Sequence, residues 1–388
     1  MDKHALRIGI FNSTLSLLKQ GWYTAPSGRK VELPSVKEVM DSAYMVDEPF
    51  HVLIDPVEPI TTEVRVENKD CVLAAKELID AGYNPAMLNL ADLYIPGGLV
   101  EYGSGAQEEN LCRRSNLILS LYQFSDERLE MYPDLGLERN DSQYPMNELY
   151  GGVYSGTVTF FRGPESSDSQ LDEKPYNIPV ISVAALNGPR INARGKMFPK
   201  ETRITLEKMR TIFRLGMANF HDSLVLSALG CGAFGNPPAH IAKLFHQVIE
   251  EEEFKDKFKL IDFAILDGYK TGLQHNPEGN LLPFQKCTRP KTRNMSPSRL
   301  CSPKERRLIP QARYCEGRRV PFKDSGLASR LISALSSMVK ILCRRSRIMP
   351  TILGGRRLGV PPPKKIVSTR RPAKRSPQMA SSIKSVST

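Results

Sequence analysis

Apolar and polar positions change period several times along the chain, and each change marks an element. Residues 5–19 place Leu6, Ile10, Leu15 and Leu18 at helical intervals, and Gly21 stops the run. The following "GWYTAPSGRKVEL" predicts a short hairpin turning at Ser27-Gly28. From residue 61 strand and helix patterns alternate. "EVRVE" reads as a strand, "DCVLAAKELIDAG" as a helix closed by Gly82, and "AMLNLA" as a buried strand. After a glycine loop, a helix is predicted from Ala106 to Tyr122, with Leu111, Ser115, Ile118 and Tyr122 on its inner face and Arg113 and Arg114 pointing elsewhere. "VYSGTVTFF" and "IPVISVAAL" then read as strands and "KMRTIFRLGMANF" as a helix. "SLVLSAL" is a strand, "PAHIAKLFHQVIEEEEF" a helix and "LIDFAIL" the last strand. Such alternation implies an α/β sheet covered by helices on both faces.

Composition adds limits. Of 388 residues 40% are hydrophobic, enough for a core, and no apolar run reaches the roughly 18 residues of a membrane span. The amino-terminal stretch has no signal-peptide pattern. The seven cysteines form no CxxC pair and the histidines have no ligand spacing, so neither a disulfide framework, a metal site nor a cofactor is expected. An intracellular, reducing setting, cytoplasmic or nuclear, is the expectation.

The net charge of +12 is unevenly distributed: from Lys286 onward there are 26 Lys and Arg against Glu305, Glu316 and Asp324, and the rest of the chain is acidic. This tail is proline- and serine-rich and is expected to be largely disordered. Within it, 325–345 has the apolar stripe of an amphipathic helix for a membrane surface, a partner groove or the body of the protein. "RRPAKRSP", "PPPKK" and "CRRSR" suit nuclear import, nucleic acid or another polyanion.

Two loops carry the candidate chemistry. "PGGLVEYGSGAQEE" (96–109) follows the "AMLNLA" strand, at the strand end where open α/β sheets bind ligands. Adjacent acids in a first helical turn are an ordinary match to the helix dipole. As chemistry, like charges at neighbouring positions disfavour double ionisation, and partial burial pushes one carboxyl up toward general-acid use. "GCGAFGNPP" (230–238) joins a strand to a helix, with Asn236 as the expected cap and Pro237 at the first helical position. It contains G-x-G-x-x-G but lacks the placement and acidic partner of a nicotinamide site, and no Gly-Lys-Ser/Thr follows. A diphosphate cradle and a merely tight turn remain the alternatives.

Continued as "PGGLVEYGSGAQEENLCRRSNL", the first loop resembles the signature of the bacterial-type poly(ADP-ribose) glycohydrolases. "NLADLYIPGG", "LVLSALGCGAFGNPPAHIAKLF", "RITLEKMRTIFRLG" and "FAILD" agree with it, from about residue 5 to residue 270. The resemblance implies a macrodomain, a three-layer α/β/α sandwich with a mixed central sheet, in residues 61–285. Residues 1–60 would be a helical accessory segment and 286–388 the basic tail. It implies hydrolysis of the ribose–ribose O-glycosidic bond, with poly(ADP-ribose) or ADP-ribosylated proteins as substrate. Glu109 would be the catalytic acid, Glu108 would hold the ribose hydroxyls, and Gln107 would help to place them. Gly97 and Gly98 would approach the distal ribose and diphosphate. Gly230, Gly232, Ala233, Phe234 and Gly235 would wrap the diphosphate, with Phe234 near the distal ribose, and Asn89 would supply polar contacts. Leu99 stands where the family usually has a third glycine, and Asp92 where it usually has an asparagine. These departures leave a non-catalytic ADP-ribose reader, and a mono-ADP-ribosyl hydrolase, as competing readings.

Overall fold

The computed structural model describes residues 2–52, 60–267 and 275–288. The tail motifs, the 325–345 segment and Cys301, Cys315 and Cys343 lie outside the described residues. In chain order the elements are α1 (Lys3–Gln20), β1 (Trp22–Thr24), β2 (Lys30–Glu32), α2 (Val36–Asp41), β3 (Ala43–Val46), β4 (Glu63–Glu67), α3 (Cys71–Asp80) and β5 (Pro85–Ala91). There follow α4 (Gln107–Arg114), α5 (Leu117–Leu121), α6 (Asp126–Met131), β6 (Gly152–Ser155), β7 (Thr159–Arg162), β8 (Leu171–Asn177) and β9 (Val180–Ala184). The last are α7 (Pro199–Ala218), β10 (Ser223–Leu226), α8 (Pro238–Ile249), β11 (Leu260–Ala264) and α9 (Leu281–Thr288).

Seven strands form one mixed sheet in the order β3-β6-β9-β5-β10-β11-β4. The five from β9 to β4 run parallel, and β6 and β3 are antiparallel additions at one edge. Side chains alternate across it. Met87, Val180 and Val225 face a core shared with α1, α3, α4 and α5, whereas Ala86, Ile181 and Leu224 face one shared with α7, α8 and α9. This is the expected α/β/α sandwich, and the edge strand β3 comes from the amino-terminal 60 residues.

The ladder between β5 and β10 runs only from Pro85 to Met87, while β5 stays paired with β9 to Ala91. The strands therefore part toward their carboxyl ends, and the crevice opens there.

Several sequence expectations need correction. The helix predicted over 106–122 is broken at Ser115, which is extended (φ −149°, ψ −179°) and bridges to Phe160. Its hydroxyl donates to Leu111 O and accepts from Leu117 N–H, so the side chain takes over bonds that a continuous helix would make. Arg113 and Arg114 do not point away. Both are buried: Arg114 pairs with Asp70 at 2.9 Å, and Arg113 donates to Ser104 O at 2.7 Å. Helical period shows which residues share a face but not whether a charged face meets buried partners. On α1 the buried face is Phe11, Thr14 and Leu18, and Leu6 is exposed. "VYSGTVTFF" divides into β6 of the central sheet and β7, which pairs with β8 outside it.

Candidate functional site

Gln107 opens α4 by bonding to the strand in front of it. Its amide oxygen accepts from Leu90 N–H (2.7 Å) and its Nε2 donates to Leu88 O (2.8 Å). These are backbone groups of β5 beyond the last pairing with β10, so the side chain replaces a missing strand neighbour. Gln107 is thus a positioning residue with both polar ends committed, and it fixes the first turn of α4 against the crevice.

The next two residues project into that crevice. Glu108 is buried; its Oε1 accepts from Asn89 Nδ2 (3.2 Å) and Gly97 N–H (3.2 Å), and its Oε2 from Asp92 N–H (2.8 Å). Burial pushes its carboxyl up to about 8, opposed by the Asp92 amide and reinforced by the Glu109 charge. Glu109 is 6% exposed; its Oε1 accepts from Leu99 N–H (3.1 Å), and its Oε2 has no partner among the described residues. The neighbouring acids therefore differ. Glu108 is held by three donors, whereas Glu109 keeps one buried oxygen without a partner among the described residues. The proton affinity expected to rise in one of the pair is raised at Glu108.

Gly97 and Gly98 serve the carboxylates directly. Both have positive φ (77° and 58°), and a Cβ on Gly98 would lie 2.6 Å from Glu109 Oε1. A Cβ on Gly97 would press on the Tyr122 ring at 3.2 Å. Leu99 puts its side chain into solvent (47% exposed) while its N–H holds Glu109. The Asp92 carboxylate turns into its own loop, accepting from Tyr94 and Ile95 N–H. Asn89 links Glu108 to Ser182 Oγ and leaves its own Oδ1 without a partner among the described residues.

The second loop differs in how it uses its amides. Asn236 does not cap α8: the cap is Pro237, and Pro238 takes the first helical position. The Asn236 side chain instead donates to Leu186 O (2.7 Å) and Gly230 O (3.1 Å), closing the loop on itself and on the end of β9. A Cβ on Gly230 would collide with that amide group. Phe234 O accepts from Gly188 N–H, and Gly235 turns at φ 67°. Among the described residues no acceptor pairs with the amides of Gly232, Ala233 and Phe234. Three consecutive N–H groups thus stand without acceptors in the loop that leads into α8.

Sequence reasoning missed the support beneath the first loop. Arg128 of α6 donates to Gly98 O (3.1 Å) and to Glu101 Oε1 (2.7 Å), which also accepts from the hydroxyls of Tyr122 (2.9 Å) and Tyr132 (3.2 Å). Glu101 lay within the quoted loop, but nothing in the sequence tied it to an arginine 27 positions on. Among the described residues no group of acids, histidines and cysteines is arranged to hold a metal ion, and no helix is long and apolar enough to cross a membrane.

Residues 12–163 match the family model described as microbial-type PARG, catalytic domain, where PARG is poly(ADP-ribose) glycohydrolase. The chain is similar to the crystal structure of poly(ADP-ribose) glycohydrolase from Thermomonospora curvata, with 26% identity and a TM-score of 0.57 over 72% of this chain and 98% of that one. The form of that protein bound to the inhibitor ADP-HPD matches at 25% identity and a TM-score of 0.56, with the same coverage. No curated protein matches the chain. The family that the Gln107-Glu108-Glu109 signature resembled is thus the one whose model matches residues 12–163.

Proposed function

We propose, for a chain that carries a microbial-type PARG catalytic segment, that it hydrolyses the ribose–ribose O-glycosidic bonds of poly(ADP-ribose) and releases ADP-ribose. One observation carries the reading: Glu109 is nine-tenths buried, anchored through one oxygen, and keeps the other unpaired beside a carboxyl that resists ionisation. The amides of Gly232, Ala233 and Phe234 would hold the diphosphate, and Glu109 would meet the glycosidic oxygen of the adjoining ribose.

Cleavage at the ribose anomeric carbon develops positive charge on the sugar and negative charge on the leaving oxygen. Burial keeps the Glu108 carboxyl reluctant to ionise, so it adds little charge beside the reacting carboxyl at neutral pH. Glu109, entering as the acid, gives its own proton to the leaving oxygen, and its carboxylate then stabilises the cation and activates the attacking water. General-acid help of this kind is worth about 10²–10⁴-fold. Glu108, adjacent in sequence and held by three donors, cannot sit across the sugar as the second carboxyl of a two-sided glycosidase does. It orients the ribose.

The departures at Leu99 and Asp92 do not favour a non-catalytic reader. Leu99 contributes only its backbone to Glu109, and the Asp92 carboxylate is engaged by its own loop. Catalysis is assigned to 61–285, with 1–60 as its support. The basic segment beyond it is assigned to polyanion binding and to a cytoplasmic or nuclear setting. Incubation with poly(ADP-ribose) should release free ADP-ribose, and Glu109→Gln should abolish release while ADP-ribose still binds by calorimetry. Equal rates in the two proteins would refute the role of Glu109.

A further inference from the structure

A cavity of about 430 Å³ lies at the connection between β9 and α7, lined by Glu148, Asn187, Gly188, Arg190, Lys200 and Glu201 among others. It shares a wall with the phosphate loop, because Leu186 O accepts from Asn236 Nδ2 and Gly188 N–H donates to Phe234 O. It starts from the strand that flanks β5 along its carboxyl-terminal half. The cavity therefore adjoins the 230–238 loop without being part of the carboxylate site.

In the cavity lining Glu148 and Glu201 balance Arg190 and Lys200, and the cationic excess lies on the connecting segment beside it. Between Glu173 and Glu207 the only acid is Glu201, and Arg190 neutralises it at 2.6 Å. Arg194, Lys196, Lys200 and Arg203 are all exposed and have no ion-pair partner among the described residues. His240, whose Nδ1 accepts from Met197 N–H, is kept neutral by burial and then by Lys196 and Lys243. Beside these charges the Phe198 ring is 42% exposed, with the Arg190 guanidinium 5.4 Å from its centroid. Cationic groups next to an exposed aromatic ring match a ligand that alternates phosphate and base.

We propose that this connection and its cavity hold the part of the polymer beyond the scissile bond, an anionic, adenine-bearing ADP-ribose unit whose diphosphate lies against Arg194, Lys196 and Lys200. The assignment rests on the glycohydrolase reading, and a binding measurement separates the two. The full chain carrying Glu109→Gln should bind poly(ADP-ribose) about tenfold more tightly than ADP-ribose at low salt, an excess that fades as salt rises. Adding Arg194→Glu and Lys196→Glu should weaken polymer binding about tenfold and leave the ADP-ribose Kd unchanged.

A polymer affinity that the charge reversals leave unchanged would overturn the subsite. So would an equal loss of affinity for a single-stranded oligodeoxynucleotide of the same length, which would mark a general polyanion surface. Failure of the glycohydrolase reading shows elsewhere, as wild-type protein that releases no ADP-ribose.

Discussion

Gly98 lies flat against Glu109: a methyl group on its Cα would stand 2.6 Å from Oε1 and 3.0 Å from Cδ, and only 3.3 Å from Glu108 Oε2. With φ at 58°, the position also disfavours any side chain on backbone grounds. Gly98→Ala should lower stability by about 1–2 kcal/mol through the backbone alone. Because it displaces the Glu109 carboxylate, it should lower kcat by about 10²-fold. Thermal melts and steady-state release of ADP-ribose check the two effects separately.

Gln107 spans Leu88 O and Leu90 N–H, so Gln107→Ala leaves both β5 groups without their partner. The expected loss is about 1–3 kcal/mol, together with a fall in kcat as the first turn of α4 loosens. Gln107→Glu should be worse than Ala at neutral pH, because a carboxylate oxygen would face the Leu88 carbonyl. If Glu matches wild type in melting and turnover, the positioning role is wrong.

Arg128 ties Glu101 to the Gly98 carbonyl in a nearly buried ion pair, with side-chain exposures of 6% and 15%. Removing the cation alone strands a buried carboxylate, so Arg128→Met should destabilise by about 3–5 kcal/mol. Arg128→Met combined with Glu101→Gln should recover much of the stability but not the turnover, since Gly98 O still lacks its donor. Denaturant melts of the two single variants and the double form the test.

The Glu108 carboxyl, raised to about 8 by burial, sets a pH dependence. Below that pH Glu108 is uncharged beside Glu109. Above it Glu108 is ionised, a second negative charge faces the leaving oxygen, and kcat should fall about tenfold per pH unit. The folded carboxyl binds its proton more tightly than the ordinary 4.5, so the associated stability is fully present below 4.5 and is lost as pH rises to about 8. A pH–rate profile flat to pH 10 would sink the assignment.

Lys208 on α7 is 1% exposed, and its Nζ has no hydrogen-bond partner among the described residues. Burial lowers it from 10.5 to about 8, with Glu148 pulling the other way. The folded state thus bears an unfavourable buried ammonium at and below about pH 8, and stability rises as pH climbs from there to 10.5. Lys208→Met should stabilise by about 1–3 kcal/mol at pH 7, with the gain shrinking toward pH 10.5. Melts at the two pH values measure it.

Much of this protein was legible in its sequence because the signals are local. The alternation of periods fixed the α/β class, the glycines at 97 and 98 marked a close approach of the backbone, and Gln107-Glu108-Glu109 announced the carboxylate site. What each residue of that trio does was decided by tertiary structure. Gln107 is spent on a strand edge that exists only because β10 parts from β5 after Met87. Glu108 holds its proton because the core encloses it, against the pull of its hydrogen-bond donors, while its neighbour keeps a buried oxygen without a partner among the described residues. Arg113 and Arg114, polar by pattern, became interior residues because Ser104 O and Asp70 were waiting for them. Periodicity records which residues share a face; only packing of distant segments settles which polar atoms find partners and which are left for a ligand.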